Sequence, residues 1–159
     1  MLYQMFGGDT FSVIEETSTG YAKYTTDTVN IENYARDARS TVSFEQEGRL
    51  NKILLNVKPG DYVFAQFGHN DDYWQRTNRA ATVEEYKKNL LAYKNAVEER
   101  GGTFVMVTPI SLASFTADGT VEERFTDYRQ GMLELAAAYN IPVLDLMGSS
   151  VAYLNELGS

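Results

Sequence analysis

The chain contains no cysteine and a single histidine among its 159 residues. Without cysteine there can be no disulfide bond, no thiolate nucleophile and no sulfur-ligated zinc. One histidine and scattered carboxylates do not make a zinc site of the usual ligands, so we expect no metal and no cofactor. A phosphate-binding glycine loop is missing as well, which argues against a flavodoxin-like nucleotide binder.

Basic residues are also few, with 14 lysines and arginines against 22 acidic residues and a formal charge of −8. This balance argues against a nucleic acid or an anionic membrane as partner, because both need a basic surface. No apolar run approaches the roughly 20 residues of a membrane span. The start, Met1 to Phe6, is too short and lacks the basic flank of a signal peptide, so the compartment stays unknown.

What is present indicates one domain, residues 1–159, of the α/β class. Hydrophobic residues make up 43% of the chain, and short apolar runs alternate with helical patterns. Such alternation predicts a mostly parallel sheet of about five strands covered on both faces. The expected strands are Leu2–Phe6, Val29–Asn33, Tyr62–Phe67, Thr103–Val107 and Ile141–Leu146. The expected helices are Gly20–Asp27, Glu45–Val57, Thr82–Arg100, Val121–Tyr139 and Val151–Leu157, with loops at Asp72–Ala81 and Ser111–Thr120.

Two local signals support these boundaries. Thr82 with Glu85 three residues later forms a capping box, the usual signature of a helix start. Tyr62–Phe67 is a short run of β-forming residues bounded by Gly60 and Gly68, which predicts a buried central strand.

Polar groups follow two of the expected strands, in the loops Gly7–Thr10 and Gly68–Asp71. The carboxyl ends of parallel strands meet at one edge of the sheet, where open α/β sheets bind their ligands. A hydroxyl from one loop and a carboxamide from the other suit acyl transfer, in which the hydroxyl attacks and the amide holds the oxyanion. The same residue types also end many strands simply as turn formers.

Three segments carry a more specific signal: Gly8-Asp9-Thr10, the run from Asn33 to Leu50 and the run from Gly60 to Asp71. Together they resemble, in order and spacing, the SGNH (GDSL-type) hydrolases, specifically the rhamnogalacturonan acetylesterase branch of carbohydrate esterases. The resemblance extends through Val107–Pro109 to Ile141–Leu146. It implies a three-layer α/β/α, flavodoxin-like fold and a polysaccharide or small-molecule ester as substrate, the typical case being acetyl esters of a pectin-type polysaccharide.

The resemblance also implies roles for individual residues. The family's nucleophilic serine falls on Thr10, and its oxyanion donors fall on the N–H groups of Thr10 and Ala38 and the amide of Asn70. Thr10 and Asn70 are therefore the expected catalytic residues. The residues expected to support them are Gly8, Asp9, Gly68, His69 and Asp71.

The chain departs from the family pattern in three ways. The β-methyl of Thr10 restricts its side-chain torsion, and Ala38 would resist any positive φ that glycine allows. The family's Asp-x-x-His segment does not occur before Ser159, and losing a triad member costs several orders of magnitude in rate. We therefore expect a truncated, hydrolytically poor esterase. The alternative is a degenerate, non-catalytic relative that binds carbohydrate.

The remaining candidates surround the Asn70 turn. His69 is expected to order the turn or touch substrate, with a role as substitute base as the alternative. Tyr73, Trp74, Arg76 and Arg79 could contact sugars, or the loop could pack its own side chains. A chain ending inside its last helix would leave an apolar face uncovered, so we also expect a homo-oligomer or marginal stability.

Overall fold

The computed structural model describes residues 12–16, 21–25, 29–73 and 78–158. The chain divides into two compact units, residues 1–38 and 39–159. The expected strand Leu2–Phe6 and the site residues Gly8, Asp9, Thr10, Trp74 and Arg76 lie outside the described residues. A single domain over residues 1–159 stays a prediction.

The first unit contains an antiparallel sheet of strands β1 (Ser12–Glu16), β2 (Tyr21–Thr25) and β3 (Asn30–Asn33), in that order. Its register places Lys23 opposite Glu32, and the two side chains form a salt bridge of 2.9 Å. Cross-strand pairs of opposite charge stabilise a register in this way. The strand expected at Val29–Asn33 is confirmed, although it pairs in the antiparallel direction.

The helix expected over Gly20–Asp27 is wrong, because this segment forms β2. Its tyrosines and threonines favour a strand, and a five-residue segment is too short to show a helical period. Pairing with strands on both sides decides the conformation.

The second unit is built on a parallel sheet of strands β4 (Tyr62–Gln66), β5 (Thr103–Val107) and β6 (Val143–Leu144). Helices α1 (Thr41–Gln46) and α2 (Arg49–Leu54) precede β4. Helix α3 (Val83–Glu98) connects β4 to β5, and α4 (Thr126–Tyr139) connects β5 to β6. Helix α5 (Leu146–Leu157) follows. The α/β class is thus confirmed with three parallel strands in the described residues. The five-stranded sheet and the three-layer sandwich stay predictions.

One face of this sheet carries the hydrophobic core. The register aligns Val63 with Phe104, and Ala65 with Met106 and Val143. Helices α1 to α4 supply the facing side chains, and the capping box of Thr82 and Glu85 at the start of α3 is confirmed. The helical part of this core consists of Phe44, Leu50, Leu54, Tyr86, Leu90, Tyr93, Val97, Tyr128, Met132, Leu135 and Ala136.

Two aromatic side chains of β4 are exposed among the described residues, contrary to the expected buried strand. Tyr62 is 66% exposed and Phe64 is 52% exposed. Side chains alternate along a strand, so Tyr62 and Phe64 point away from the core on which Val63 and Ala65 pack. An unbroken apolar run therefore did not mean burial on both faces here.

Two helices replace the single helix expected over Glu45–Val57. Gly48 has φ 68 and separates α1 from α2, since glycine enters the left-handed region without steric cost. Helix α1 begins before the expected start because Ser40 caps it, with reciprocal bonds between Ser40 and Ser43. None of the described helices is both long enough and apolar enough to span a membrane.

The ends of α4, β6 and α5 also differ from expectation. Helix α4 begins at Thr126 rather than Val121, because Val121 pairs with Phe115 and Phe125 takes φ 64. The strand expected at Ile141–Leu146 shortens to Val143–Leu144. Asp145 then caps α5, which begins at Leu146 rather than at Val151.

Candidate active site

The turn that carries Asn70 follows β4 directly and depends on Gly68. This glycine has φ +129, a conformation that other residues rarely adopt. A Cβ at this position would lie 2.5 Å from Cγ of Pro109, so the space is closed as well. The Asp72 N–H donates to the Gly68 carbonyl at 3.0 Å and closes the turn. The turn therefore needs glycine for two independent reasons.

Asp71 fixes this turn to the start of α1. Its side chain is 0% exposed. Its Oδ1 accepts from the Thr41 N–H at 3.0 Å and from Thr41 Oγ1 at 2.6 Å, and its Oδ2 accepts from the Gly68 N–H at 3.1 Å. Burial raises the pKa of Asp71, and the hydrogen bonds from Thr41 and Gly68 oppose that rise.

Helix α3 completes the attachment of the turn. Asn89 donates to Thr41 Oγ1 at 3.0 Å, and the Tyr93 hydroxyl donates to the Thr41 carbonyl. The Tyr86 hydroxyl donates to the Phe67 carbonyl at 3.1 Å, and burial raises the pKa of Tyr86 well above its usual value. The turn is therefore bonded to two helices as well as to its own strand.

Asn70 has a defined amide orientation. Arg79 Nη1 lies 3.0 Å from Asn70 Oδ1. A guanidinium only donates, so the facing atom must be the amide oxygen, and the NH₂ group is the one that can donate to a developing oxyanion. Arg79, expected as a sugar contact, thus positions the Asn70 side chain.

Ala38 has a left-handed backbone with φ 62 in the first unit. The backbone thus keeps the conformation that a glycine allows, although alanine adopts it at a steric cost. The N–H of Ala38 thus lies in a glycine-like turn. Thr10 lies outside the described residues, and the convergence of Thr10, Ala38 and Asn70 stays a prediction.

His69 is held by a backbone carbonyl and an aromatic ring. Its Nε2 lies 2.8 Å from the Ile110 carbonyl oxygen, and its ring meets that of Phe125 edge-on at 4.6 Å between centroids. A carbonyl only accepts, so Nε2 carries the hydrogen in this contact. These contacts favour the turn-ordering role, and the substitute-base role stays untested. Tyr73 is 41% exposed on the loop that follows.

A second carboxylate, Asp145, organises the carboxyl ends of β5 and β6. Arg129 donates to it through Nε at 2.8 Å and Nη2 at 2.5 Å. Thr108 Oγ1 donates to the same carboxylate at 3.1 Å, and the Gly148 N–H donates at 3.2 Å. The Arg129 guanidinium lowers the pKa of Asp145 to about 2. Asp145 thus connects Arg129 of α4 and the start of α5 to Thr108, which follows β5.

Sequence reasoning alone missed the contributions of Thr41 and Phe125. Thr41 stands inside the run that carries the family resemblance, but nothing in the run shows that it binds Asp71. Phe125 looked like one more apolar residue on a helix face. Across the described ranges, no three His, Cys, Asp or Glu residues group in a way that could hold a metal ion.

Comparison with known proteins identifies a family and several relatives of this chain. Residues 14–157 match the model of the GDSL-like Lipase/Acylhydrolase family. The chain is 32% identical over 130 residues to rhamnogalacturonan acetylesterase RhgT of Bacillus subtilis, covering 82% of this chain and 55% of that protein. It is 33% identical over 131 residues to the probable rhamnogalacturonan acetylesterase YesY of the same organism, covering 82% and 60%.

A solved structure agrees with these sequence matches. The crystal structure of the YxiM protein of Bacillus subtilis superposes with a TM-score of 0.67 at 29% identity, covering 76% of this chain and 34% of that chain. The chain thus spans little more than half the length of RhgT and YesY, and about a third of YxiM. From the family match over residues 14–157, this chain belongs to the GDSL-like lipase/acylhydrolase family, and the resemblance to rhamnogalacturonan acetylesterases is confirmed.

Proposed function

We propose that the chain is an SGNH-type carbohydrate esterase whose site binds acetyl esters of a pectin-type polysaccharide such as rhamnogalacturonan. The observation that supports this most directly is the Asn70 turn, whose amide is oriented by Arg79 and whose backbone is anchored by Asp71. A pre-oriented amide donor of this kind is what an oxyanion site requires. Relatives named rhamnogalacturonan acetylesterase supply the substrate class.

In the proposed reaction, the Thr10 hydroxyl oxygen attacks the acetyl carbonyl carbon and its proton passes to a base. The negative charge on the carbonyl oxygen is met by the N–H groups of Thr10 and Ala38 and by the Asn70 amide. Collapse releases the sugar hydroxyl with a proton, and water then cleaves the acyl-threonine to acetate. No cofactor takes part in this scheme.

The proposed reaction needs a base beside the Thr10 hydroxyl. No Asp-x-x-His sequence occurs among the 159 residues, and a hydroxyl without an adjacent base is a weak nucleophile near neutral pH. His69, the one histidine, holds the Ile110 carbonyl through Nε2. Among these 159 residues, Nδ1 of His69 is therefore the one imidazole nitrogen that could act as the base.

A second candidate function is carbohydrate binding without hydrolysis. Threonine at the nucleophile position and alanine at the oxyanion position favour it, because both replace residues that the family uses for catalysis. The anchored turn would then serve binding alone.

Acetate release from an activated aryl acetate and from acetylated rhamnogalacturonan tests the proposal. We expect slow release that falls at least tenfold in both Thr10→Ala and Asn70→Ala, since one oxyanion donor contributes about 10²–10³ in rate in intact sites. Thr120→Ala, which changes an exposed loop hydroxyl, is the matched control. Release equal in all four proteins would reject the esterase and leave carbohydrate binding as the function to test.

A further inference from the structure

An arginine lies on an aromatic ring beside the proposed site. The guanidinium carbon of Arg124 lies 5.5 Å from the centroid of the Phe125 ring, within cation–π range. The same ring also contacts His69, which precedes Asn70 in the turn after β4. Arg124 thus stands one aromatic ring away from the turn that carries the amide donor. Stacking on a ring restricts a long side chain and leaves its planar N–H groups available at the edges.

Phe125 is held in a conformation that its residue type disfavours. It has φ 64, an outlier for a bulky side chain, and it precedes α4 without any side-chain hydrogen bond to the helix start. Asparagine or glycine would suit this backbone better on both counts. Strain of this kind concentrates at functional sites, where a side chain serves a purpose other than stability.

The charge of Arg124 is not neutralised by the acidic residues next to it in sequence. Glu122 accepts from the Ser114 hydroxyl at 2.9 Å. Glu123 acts electrostatically on Arg129, which is itself bound to Asp145. Among the described residues, Arg124 forms no ion pair, and its recorded partner is the Phe125 ring. In a chain of net charge −8, this leaves a local positive group at the edge of the site.

We propose that Arg124, presented by the Phe125 ring, binds the carboxylate of a uronic acid residue in the polysaccharide. The inference rests on the proposed function and adds the part of the substrate that is recognised. A guanidinium matches a carboxylate through two parallel N–H···O bonds, which is a specific geometry as well as an attraction. Arg79, whose Nη1 lies 3.0 Å from Asn70 Oδ1, adds a second positive charge at the turn.

The test is calorimetric titration of the whole chain with a deacetylated rhamnogalacturonan oligosaccharide and with the same oligosaccharide after reduction of its carboxyl groups. Deacetylated ligand removes turnover from the measurement. Arg124→Gln is compared with Arg100→Gln. Arg100 is an exposed arginine just beyond the C-terminal end of α3, and it donates to the Ala96 carbonyl. We expect Arg124→Gln to bind the acidic ligand about tenfold more weakly than the wild type, which is the size of one lost charged hydrogen bond. Arg100→Gln should bind it with the affinity of the wild type. The reduced ligand should bind equally to all three proteins.

A second variant, Phe125→Asn, distinguishes the effect of the Phe125 ring on ligand binding from its effect on the stability of the fold. Asparagine suits a positive φ and a helix start, so the melting temperature should stay level or rise while binding of the acidic ligand weakens severalfold. Equal affinity of Arg124→Gln and Arg100→Gln, or equal affinity of acidic and reduced ligand for the wild type, would overturn the inference. The esterase proposal is tested by acetate release in other variants, so neither of these binding results would contradict it.

Discussion

At the scale of single residues, Gly68 controls the position of the Asn70 turn through backbone and space together. Gly68→Ala should lower the free energy of unfolding by about 3 kcal/mol, combining a strained positive φ with a clash against Pro109. Gly60→Ala is the matched control, because Gly60 has φ +91 and no atom within 4 Å of the added Cβ. It should cost only about 1 kcal/mol. Urea denaturation measures both, and equal losses would show that the contact with Pro109 is unimportant.

Thr41 is the residue through which Asp71 holds the turn. Thr41→Val removes the hydroxyl that donates to Asp71 and accepts from Asn89, so the buried carboxylate loses a charged hydrogen bond. We expect a loss of about 2–3 kcal/mol in the free energy of unfolding. Thr41→Ser keeps the hydroxyl and should lose about 1 kcal/mol for the missing methyl group.

The comparison of these two variants decides the role of the hydroxyl. Both are measured by thermal and urea unfolding of the whole chain. If the valine variant is as stable as the serine variant, the bond between Thr41 and Asp71 does not contribute to stability.

At the scale of elements, the ion pair of Arg129 and Asp145 couples the last two helices to the sheet and makes that coupling sensitive to acid. The pKa of Asp145 is lowered to about 2 in the folded state. A lowered pKa adds stability above the unfolded value near pH 4, and that stability is lost as the pH falls towards 2. The side chains are 33% and 35% exposed, so solvent screening reduces the contribution to about 1 kcal/mol.

Asp145→Asn should therefore be less stable than the wild type at pH 6, and the difference should shrink as the pH falls from 4 to 2. Urea midpoints across this range measure it. Asp127→Asn, an exposed carboxylate in the first turn of the same helix as Arg129, is the control. A difference that stays constant with pH would contradict the ionic role of Asp145.

At the scale of the whole molecule, the exposed side chains of Tyr62 and Phe64 on β4 are the feature most relevant to association. Tyr62 and Phe64 expose more than half of their surfaces on neighbouring positions of one strand face. Adjacent exposed aromatic side chains promote association, so the expected homo-oligomer stays a prediction with a defined candidate surface. Light scattering at increasing concentration should show self-association that Phe64→Lys reduces. Leu55→Lys, at an 84% exposed leucine, should leave it unchanged. Equal masses for both variants would exclude this face.

The elements with strong local signals were predictable from the sequence. The capping box at Thr82, the βαβ order around Thr103–Val107 and the glycine at position 68 each follow from local rules of backbone geometry and hydrogen bonding. The family resemblance predicted Asn70 and its neighbours as residues of the candidate site. Segments with weak signals were mispredicted, as at Gly20–Asp27, because strand pairing outweighs the preferences of five residues.

The sequence by itself determined the α/β class, the family and the residue types of the site, because these depend on periodicity and on order along the chain. Only the tertiary structure decided that Asp71 is buried against Thr41, that Arg79 orients the Asn70 amide, and that the Phe125 ring contacts His69. Each of these contacts joins residues that lie nine or more positions apart in the sequence. Their energies come from burial and from hydrogen bonds between residues that local sequence patterns do not relate.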